Sequence, residues 1–172
     1  MTGRRHLVRD VIVDAPPEVV FAALTDWPTQ GQWMLGTRVW SDGSGEGVGA
    51  QLSAFTGVGR LGFLDTMEIT EWEPPRLVRV LHTGRVVRGP GIFEVLALPD
   101  GRSRFVWREE LDLPLGAVGR AGFAVVGPVF AAGVERSLRR FAELVGAGQL
   151  GTGPETGRNA HDRGPRHDDH GE

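Results

Sequence analysis

Three ionisable side chains, Asp65, His82 and Glu109, stand on the predicted inward faces of three different strands. Burying a carboxylate without a partner is costly and raises its pKa, so such groups persist where a partner or a wet cavity satisfies them. Either they form a structural network with backbone N–H groups, an arginine or each other, or they supply the few polar groups of a mostly apolar pocket. In a pocket, His82 would act as general base or general acid, with Asp65 or Glu109 orienting it or moving a proton itself.

The inward positions follow from side-chain alternation, because successive residues of a strand point to opposite faces of a sheet. The apolar faces consist of Leu61, Phe63, Asp65, Met67 and Ile69 in the run 60–72, of Val78, Val80 and His82 in the run 76–83, and of Phe105, Trp107, Glu109, Leu111 and Leu113 in the run 103–113. The second assignment is the least sharp, since the opposite face of that run also carries leucines.

Large apolar side chains are the natural lining of such a pocket. We predict that the ligand-binding residues, besides Asp65, His82 and Glu109, are Trp33, Phe63, Met67, Phe93, Phe105, Trp107, Val126 and Phe130. The simpler interpretation of most of these aromatic residues is that they fill a core. The pocket interpretation depends on architecture, because one helix and one curved sheet of about seven strands often leave space between them.

The elements that would position these residues begin with a strand at 6–13 and two short helices. Asp14-Ala-Pro-Pro-Glu18 is a helix start, and Asp26-Trp-Pro repeats the signal for a second helix over 27–34. A strand at 37–41 and a loop, Asp42 to Gly47, come next. The following predicted strands are 48–55, 60–72, 76–83, 87–98 and 103–113, with turn residues between them. Short connections indicate antiparallel neighbours, and Gly89 and Gly91 predict a weak or bulged strand around Pro90.

One long helix is predicted over 117–146. Val126, Phe130, Val134, Leu138, Phe141 and Val145 recur at helical spacing and form one stripe. Pro128 predicts a kink, or a break at which it opens the second half. Arg136, Arg139 and Arg140 fall mostly off the stripe, and Glu135 is spaced to pair with Arg139.

Composition excludes several classes of function. The net charge of −3 argues against nucleic-acid binding, and no run approaches the roughly 18 apolar residues of a membrane span. The absence of cysteine excludes disulfides and thiolate chemistry. No signal peptide is recognisable, so we expect a cytoplasmic protein without integral membrane association. The oligomeric state is left open.

The last part of the chain differs in character. Residues 149–172 contain no aliphatic side chain larger than alanine except Leu150, so we predict one domain over 1–148 and a disordered tail over 149–172. The tail contains His161, His167 and His170 among aspartates, but nothing holds them rigidly, and we predict neither a metal site nor a cofactor.

The order of elements resembles the START-like or SRPBCC superfamily, including polyketide cyclase/dehydrase-type proteins. The matching motifs are Ala15-Pro-Pro-Glu-Val-Val-Phe21, Leu24-Thr-Asp26 followed by Trp33, Ile69-Thr-Glu-Trp-Glu-Pro-Pro75, and Gly101-Arg-Ser-Arg-Phe-Val-Trp107 with Glu109. The resemblance covers residues 6–147. It implies an α+β helix-grip fold, in which a strongly curved antiparallel sheet wraps around the C-terminal helix with a cavity between them. It supplies no catalytic signature.

Three hypotheses about function remain open. The leading one is binding of a hydrophobic small molecule, such as a lipid, polyketide or aromatic compound, which enters near the loop 42–47, the turn 85–91 and the first half of the long helix. The second is a polyketide cyclase or dehydratase that uses His82 with Asp65 or Glu109. The third is a protein-interaction module, such as a chaperone modulator, which predicts a filled interior and an exposed apolar patch. Arg85 and Arg88 belong to a solvated face or meet an anionic ligand at the mouth of the cavity.

Overall fold

A computed structural model describes residues 4–85, 87–112 and 116–151, and the side chains of residues 6–85, 87–110 and 127–151. Within these ranges the chain forms seven strands, two α-helices and one 3-10 helix. The elements are β1 (Arg4–Val13), α1 (Pro17–Thr25), the 3-10 helix (Trp27–Gln32), β2 (Thr37–Ser41), β3 (Gln51–Val58), β4 (Leu61–Glu73), β5 (Leu77–His82), β6 (Gly89–Ala97), β7 (Ser103–Asp112) and α2 (Gly116–Gly146).

All seven strands belong to one antiparallel sheet. The strand order is β1-β7-β6-β5-β4-β3-β2, so the consecutive strands from β2 to β7 are neighbours and β1 joins the sheet beside β7. The β1–β7 pairing extends from Arg4 opposite Asp112 to Val13 opposite Ser103. The sheet curls into a half-barrel that grips α2, which confirms the predicted helix-grip fold.

The predicted elements are present with bounds displaced by a few residues. The bulge lies elsewhere than predicted: β6 pairs without a register shift on both sides, whereas β4 shifts against β5 between Ile69 and Glu71. One extra residue in a strand reverses the alternation beyond it. Trp72 therefore turns inward, where its ring meets Phe21 edge-on at 5.4 Å, although simple alternation puts it on the outer face.

Helix α2 runs through Pro128 without interruption, so the alternative of a break at this residue was wrong. The predicted pairing of Glu135 with Arg139 was also wrong. Glu135 reaches β1 instead, where its Oε1 accepts a hydrogen bond from Arg9 Nε at 2.7 Å. A cross-element partner therefore replaces the partner expected on the same helix.

The packed core lies between the sheet, α1 and the C-terminal half of α2. Phe105 and Phe141 are fully buried there, and their rings meet at 5.1 Å. Leu150 is buried in the same core, so packed structure extends past the predicted boundary at residue 148. Most of the predicted tail, residues 152–172, lies outside the described part of the chain, as do its three histidines.

Candidate functional site

A cavity of about 400 Å³ lies between the sheet and α2, beside the packed core. This volume is within the usual range of small-molecule sites. Its walls come from the 3-10 helix and the segment after it, from β2 to β7 and from α2. Lining residues that were not in the predicted set are Trp27, Met34, Leu35, Thr37, Val39, Leu52, Ala54, Thr56, Val78, Val80, Val87, Arg88, Gly91, Gly133, Val134 and Ser137.

The cavity's main polar feature is a row of side chains across four adjacent strands. Asp65 lies on β4, His82 on β5 and Glu109 on β7, and the intervening position on β6 is Gly91, which pairs with Glu109. Asp65 is two residues from Met67, the partner of His82, and therefore lies diagonally across from the imidazole on the same face. The register of the sheet thus brings together three residues separated by up to 44 positions of sequence (109 − 65).

His82 joins the two carboxylates. Its Nδ1 donates a hydrogen bond to Asp65 Oδ2 at 2.5 Å, and its Nε2 lies 3.3 Å from Glu109 Oε2. The second pair is close enough for charge attraction but is not aligned as a hydrogen bond. Glu109 Oε1 also accepts a hydrogen bond from Trp107 Nε1 at 2.7 Å. Asp65 and Glu109 are only 5% and 7% exposed, so these are buried interactions.

Two glycines make room for this row. A Cβ at Gly91 would lie 2.9 Å from His82 Nε2 and 3.1 Å from Glu109 Oε2, so any side chain there would push the two apart. A Cβ at Gly84 would lie 2.6 Å from Asp65 Oδ1. The two glycines therefore permit the close approach of the charged groups, a role of Gly91 that the expectation of a weak or bulged strand did not include.

The charge state of His82 follows from its surroundings. Burial by itself lowers the pKa of the imidazole, but the hydrogen bond to Asp65 and the contacts with Glu109 outweigh it, and together they raise the pKa of His82 from 6.5 to about 10. His82 is therefore an imidazolium at neutral pH. It is a proton donor in that state, so of the two roles considered from the sequence this pKa favours the general acid.

Some of the row's hydrogen-bonding capacity is unused. Among the described residues, Asp65 Oδ1, Glu109 Oε2 and His82 Nε2 are buried without a hydrogen-bond partner. All three residues line the cavity. Buried polar atoms without partners are costly, and a bound molecule with hydroxyl or carbonyl groups would satisfy them.

Hydroxyl groups provide a second polar region of the cavity. Thr37 and Thr56 face each other across β2 and β3, with their Oγ1 atoms 3.0 Å apart. On α2, Ser137 Oγ donates to Gly133 O at 2.9 Å and accepts from Leu35 N–H at 3.0 Å. The second of these bonds ties the segment after the 3-10 helix to α2.

Among the described residues, the lining side chains that are exposed belong to Leu35, Arg88 and Phe130, and we call this part of the cavity its mouth. The turn after β5 thus contributes to it as predicted, through Arg88. The loop 42–47 does not line the cavity. Its Gly45 carbonyl accepts a hydrogen bond from Trp27 Nε1 at 2.7 Å, so the loop covers the outside of a lining residue.

Most of the predicted lining residues do face the cavity: Phe63, Asp65, Met67, His82, Phe93, Trp107, Glu109 and Phe130. Trp33 and Phe105 do not. Both rings pack against Phe141, at 4.9 Å and 5.1 Å, because α2 approaches the sheet closely at that point. The side chain of Val126 lies outside the described residues.

Sequence reasoning missed residues of two kinds. Val78 and Val80 share the face of His82, so alternation alone places them on the wall of the site, although they were not in the predicted set. Gly91, Thr37 and Thr56 give no such signal, since their roles depend on which residues become neighbours across the sheet.

Within the described ranges, no three His, Asp or Glu side chains are placed to share one metal ion. No helix of the same ranges has both the length and the apolar character needed to cross a bilayer.

Comparison with known proteins supports the fold and its family. A family model described as "Polyketide cyclase / dehydrase and lipid transport" matches residues 4–146. A crystal structure of a Thermus thermophilus protein superimposes with a TM-score of 0.70 at 18% identity, covering 84% of this chain and 99% of the other. An aromatase/cyclase from Streptomyces sp. R1128 gives a TM-score of 0.67 at 19% identity, with 83% and 94% covered.

The di-domain aromatase/cyclase of the steffimycin biosynthetic pathway superimposes with a TM-score of 0.65 at 10% identity, and the match covers 83% of this chain but 50% of that one. No functionally curated protein matches the chain in sequence. At these identities the structural likenesses establish the fold, and the activities of the matched proteins are their own.

Proposed function

The chain belongs to the polyketide cyclase/dehydrase and lipid transport family, and on this premise we propose that it binds a hydrophobic small molecule between the sheet and α2. The observation that carries the proposal is the cavity of about 400 Å³, with apolar walls and one buried polar row. A ligand that fills such a cavity removes apolar surface from water, which is the main source of affinity in sites of this kind.

The polar row narrows the class of ligand. Asp65 Oδ1 and Glu109 Oε2 are acceptors, and the imidazolium of His82 is a donor. A largely flat or elongated hydrophobe with a hydroxyl group and a neighbouring carbonyl would satisfy both kinds of group. Lipids, polyketides and aromatic compounds with such groups all fit this description.

Position 133 offers a direct test, because Gly133 lines the cavity and a Cβ there would meet nothing within 4 Å. Gly133→Leu should fill part of the cavity, while Gly133→Ala is the matched control that changes the helix but adds little volume. Binding is measured as a rise in melting temperature with a panel of neutral lipids and aromatic polyketides. We expect a shift for wild type and Gly133→Ala and a much smaller one for Gly133→Leu. A folded wild-type protein that responds to no apolar compound would refute the proposal.

A second function is favoured by the His82 imidazolium itself. A cationic acid beside carboxylates that line one cavity is suited to dehydrating a β-hydroxy carbonyl compound. A carboxylate of Asp65 or Glu109 would take the α proton as the C–O bond breaks, and His82 would donate its proton to the departing hydroxyl, giving an alkene and water. This assignment keeps the sequence-based alternative but uses His82 as the acid.

Turnover is tested with β-hydroxy ketones of polyketide type, with loss of water followed by mass spectrometry. We expect His82→Gln and Glu109→Gln to lower the rate by about 10²–10⁴-fold, the usual contribution of positioned acid–base groups. Probe binding by each variant shows whether the cavity is intact. If the wild-type protein binds these compounds but converts none of them, the dehydratase function is refuted and the binding function stands.

The third hypothesis, a protein-interaction module, predicted a filled interior. The cavity weighs against that expectation.

A further inference from the structure

A second concavity lies on the other side of the segment that follows the 3-10 helix. Its volume is about 440 Å³, and we call it the arginine cleft. It is lined by Gly31, Gln32, Trp33, Met34, Leu35, Gly36, Arg136, Arg139, Arg140 and Glu143. The four charged residues are separated by three, one and three positions, so helical periodicity puts them on one face of α2.

The positive charge of the cleft is poorly compensated. Glu143 lies 3.7 Å from Arg140, but among the described residues no carboxylate pairs with Arg136 or Arg139. Helical spacing offers Arg139 two carboxylates, but Glu135 binds Arg9 and Glu143 lies beside Arg140. Like charges three and four residues apart destabilise a helix, so a bound anion would offset this cost. The whole chain has a net charge of −3, so a basic composition does not account for the cluster.

One residue that lines the cleft carries a buried donor without a partner. Trp33 is 2% exposed and lines the arginine cleft but not the cavity, and its indole N–H has no acceptor among the described residues. Buried donors without an acceptor are rare in native proteins. The three guanidinium groups favour a ligand that carries negative charge.

The arginine cleft and the cavity share a wall. Met34 and Leu35 line both, and Leu35 is 60% exposed, so its side chain lies at the surface where the two concavities meet. On α2, the cavity-lining Gly133 and Ser137 are next to the cleft-lining Arg136 and Arg140 around the helix. One molecule lying over Leu35 can therefore occupy both.

We propose that the ligand is an amphipathic anion, with its apolar body in the cavity and its negatively charged group in the arginine cleft. This inference rests on the proposed binding function and specifies its ligand. The negative group belongs outside the cavity, because the polar row inside contains two carboxylates for one imidazolium. Guanidinium groups match carboxylates, phosphates and sulfonates through paired N–H donors.

Two probes with nearly the same apolar body separate the two parts of the proposal. N-phenyl-1-naphthylamine is neutral, and 8-anilinonaphthalene-1-sulfonate adds one sulfonate. Their dissociation constants are measured by fluorescence for the wild type and for Arg136→Gln/Arg139→Gln. We expect the double variant to weaken binding of the sulfonate about tenfold and to leave the neutral probe unchanged. High salt should act in the same direction on the wild type.

Two controls make the outcome decisive. Arg102→Gln/Arg104→Gln changes the net charge equally at residues that line neither concavity, and it should affect neither probe. Arg88→Gln tests the other arginine at the cavity mouth. Three results would overturn the inference and leave the binding function intact. The cleft variant could weaken both probes equally, or it could leave the dissociation constant of the sulfonate unchanged. Alternatively, Arg88→Gln rather than the cleft variant could weaken binding of the sulfonate. If the wild type binds neither probe, the binding function itself fails.

Discussion

The two ends of the space between the sheet and α2 differ in how they are filled. Around Phe141 the helix presents large side chains, and the aromatic rings of Trp33 and Phe105 meet it edge-on within about 5 Å. Two turns earlier, the helix presents Gly133 and then Ser137, and a cavity lies opposite. The same helix and sheet thus produce a core at one end and a cavity at the other, and the size of a few side chains on α2 decides which.

The two ends also differ in what they bury. The packed end contains aromatic and aliphatic residues whose burial stabilises the fold. The hollow end contains the charged row of Asp65, His82 and Glu109. Contacts among these residues offset the free-energy cost of burying them, but some of their polar atoms have no hydrogen-bond partner among the described residues. We therefore expect the packed end to provide most of the stability and the hollow end to provide the proposed ligand recognition, a division that substitutions can test.

The largest effect is expected at the packed end. Phe141→Ala removes a fully buried ring from contact with Trp33 and Phe105, and it should lower the free energy of unfolding by about 3–5 kcal/mol. Denaturant unfolding measures this loss. Val129→Ala on the exposed side of the same helix is the control and should cost less than about 0.5 kcal/mol. A small loss at Phe141 would show that this end is not the stabilising one.

A smaller loss is expected when the cation is removed from the polar row. His82→Gln leaves Asp65 and Glu109 buried without their cation, which should lower the free energy of unfolding by about 3 kcal/mol at neutral pH. Adding Asp65→Asn and Glu109→Gln should recover part of the loss, because the remaining groups are then uncharged. If the triple variant is no more stable than His82→Gln alone, then His82 does not stabilise the fold by compensating the two carboxylate charges.

The pH dependence of stability should reveal the same row. The pKa of His82 is raised to about 10 in the folded protein, against 6.5 ordinarily, so the folded state binds the proton more tightly. The resulting stabilisation is complete below pH 6.5 and is lost as pH rises through about 10. The loss should be at most about 1.4 kcal/mol per pH unit. Denaturant unfolding from pH 6 to 10 measures it, and the slope should be much reduced in His82→Gln. Equal slopes in both proteins would assign the effect to other groups.

The smallest effect has the opposite sign. Gly133→Ala should raise the free energy of unfolding by about 1 kcal/mol, because alanine favours the helix and its Cβ enters open space. Thermal unfolding measures the gain. A destabilised variant would mean that the helix beside the cavity lacks the room that the structure gives it, and the contrast between the two ends would be weaker than described.

Much of this arrangement was predictable from sequence because it depends on local rules. Alternation put Asp65, His82 and Glu109 on inward faces, and short turns made neighbouring strands antiparallel. The order of strands, short helices and long helix then identified the fold. These signals need no knowledge of distant contacts.

The failures have a common cause, which is dependence on partners far away in sequence. Trp33 and Phe105 have the large aromatic side chains expected of a pocket wall, but α2 packs against them and buries them in the core. Glu135 is placed for Arg139, yet Arg9 on β1 is the partner that folding supplies. Trp72 turns inward because one residue is inserted upstream in β4. From the sequence, Gly91 is expected to weaken a strand. Its neighbours across the sheet show another role, because the absence of a side chain at Gly91 lets His82 approach Glu109.

The position of β1 at the edge beside β7 has a consequence for synthesis. Its partners extend from Ser103 to Asp112, so about a hundred residues must leave the ribosome before β1 can form its hydrogen bonds with β7. Until then the nascent chain holds an unmatched strand and an open sheet, since α2 has not yet been made. Such long-range pairing is typical of slow folding. Residues 103–146, which form β7 and α2, therefore complete first the sheet and then the enclosure late in synthesis.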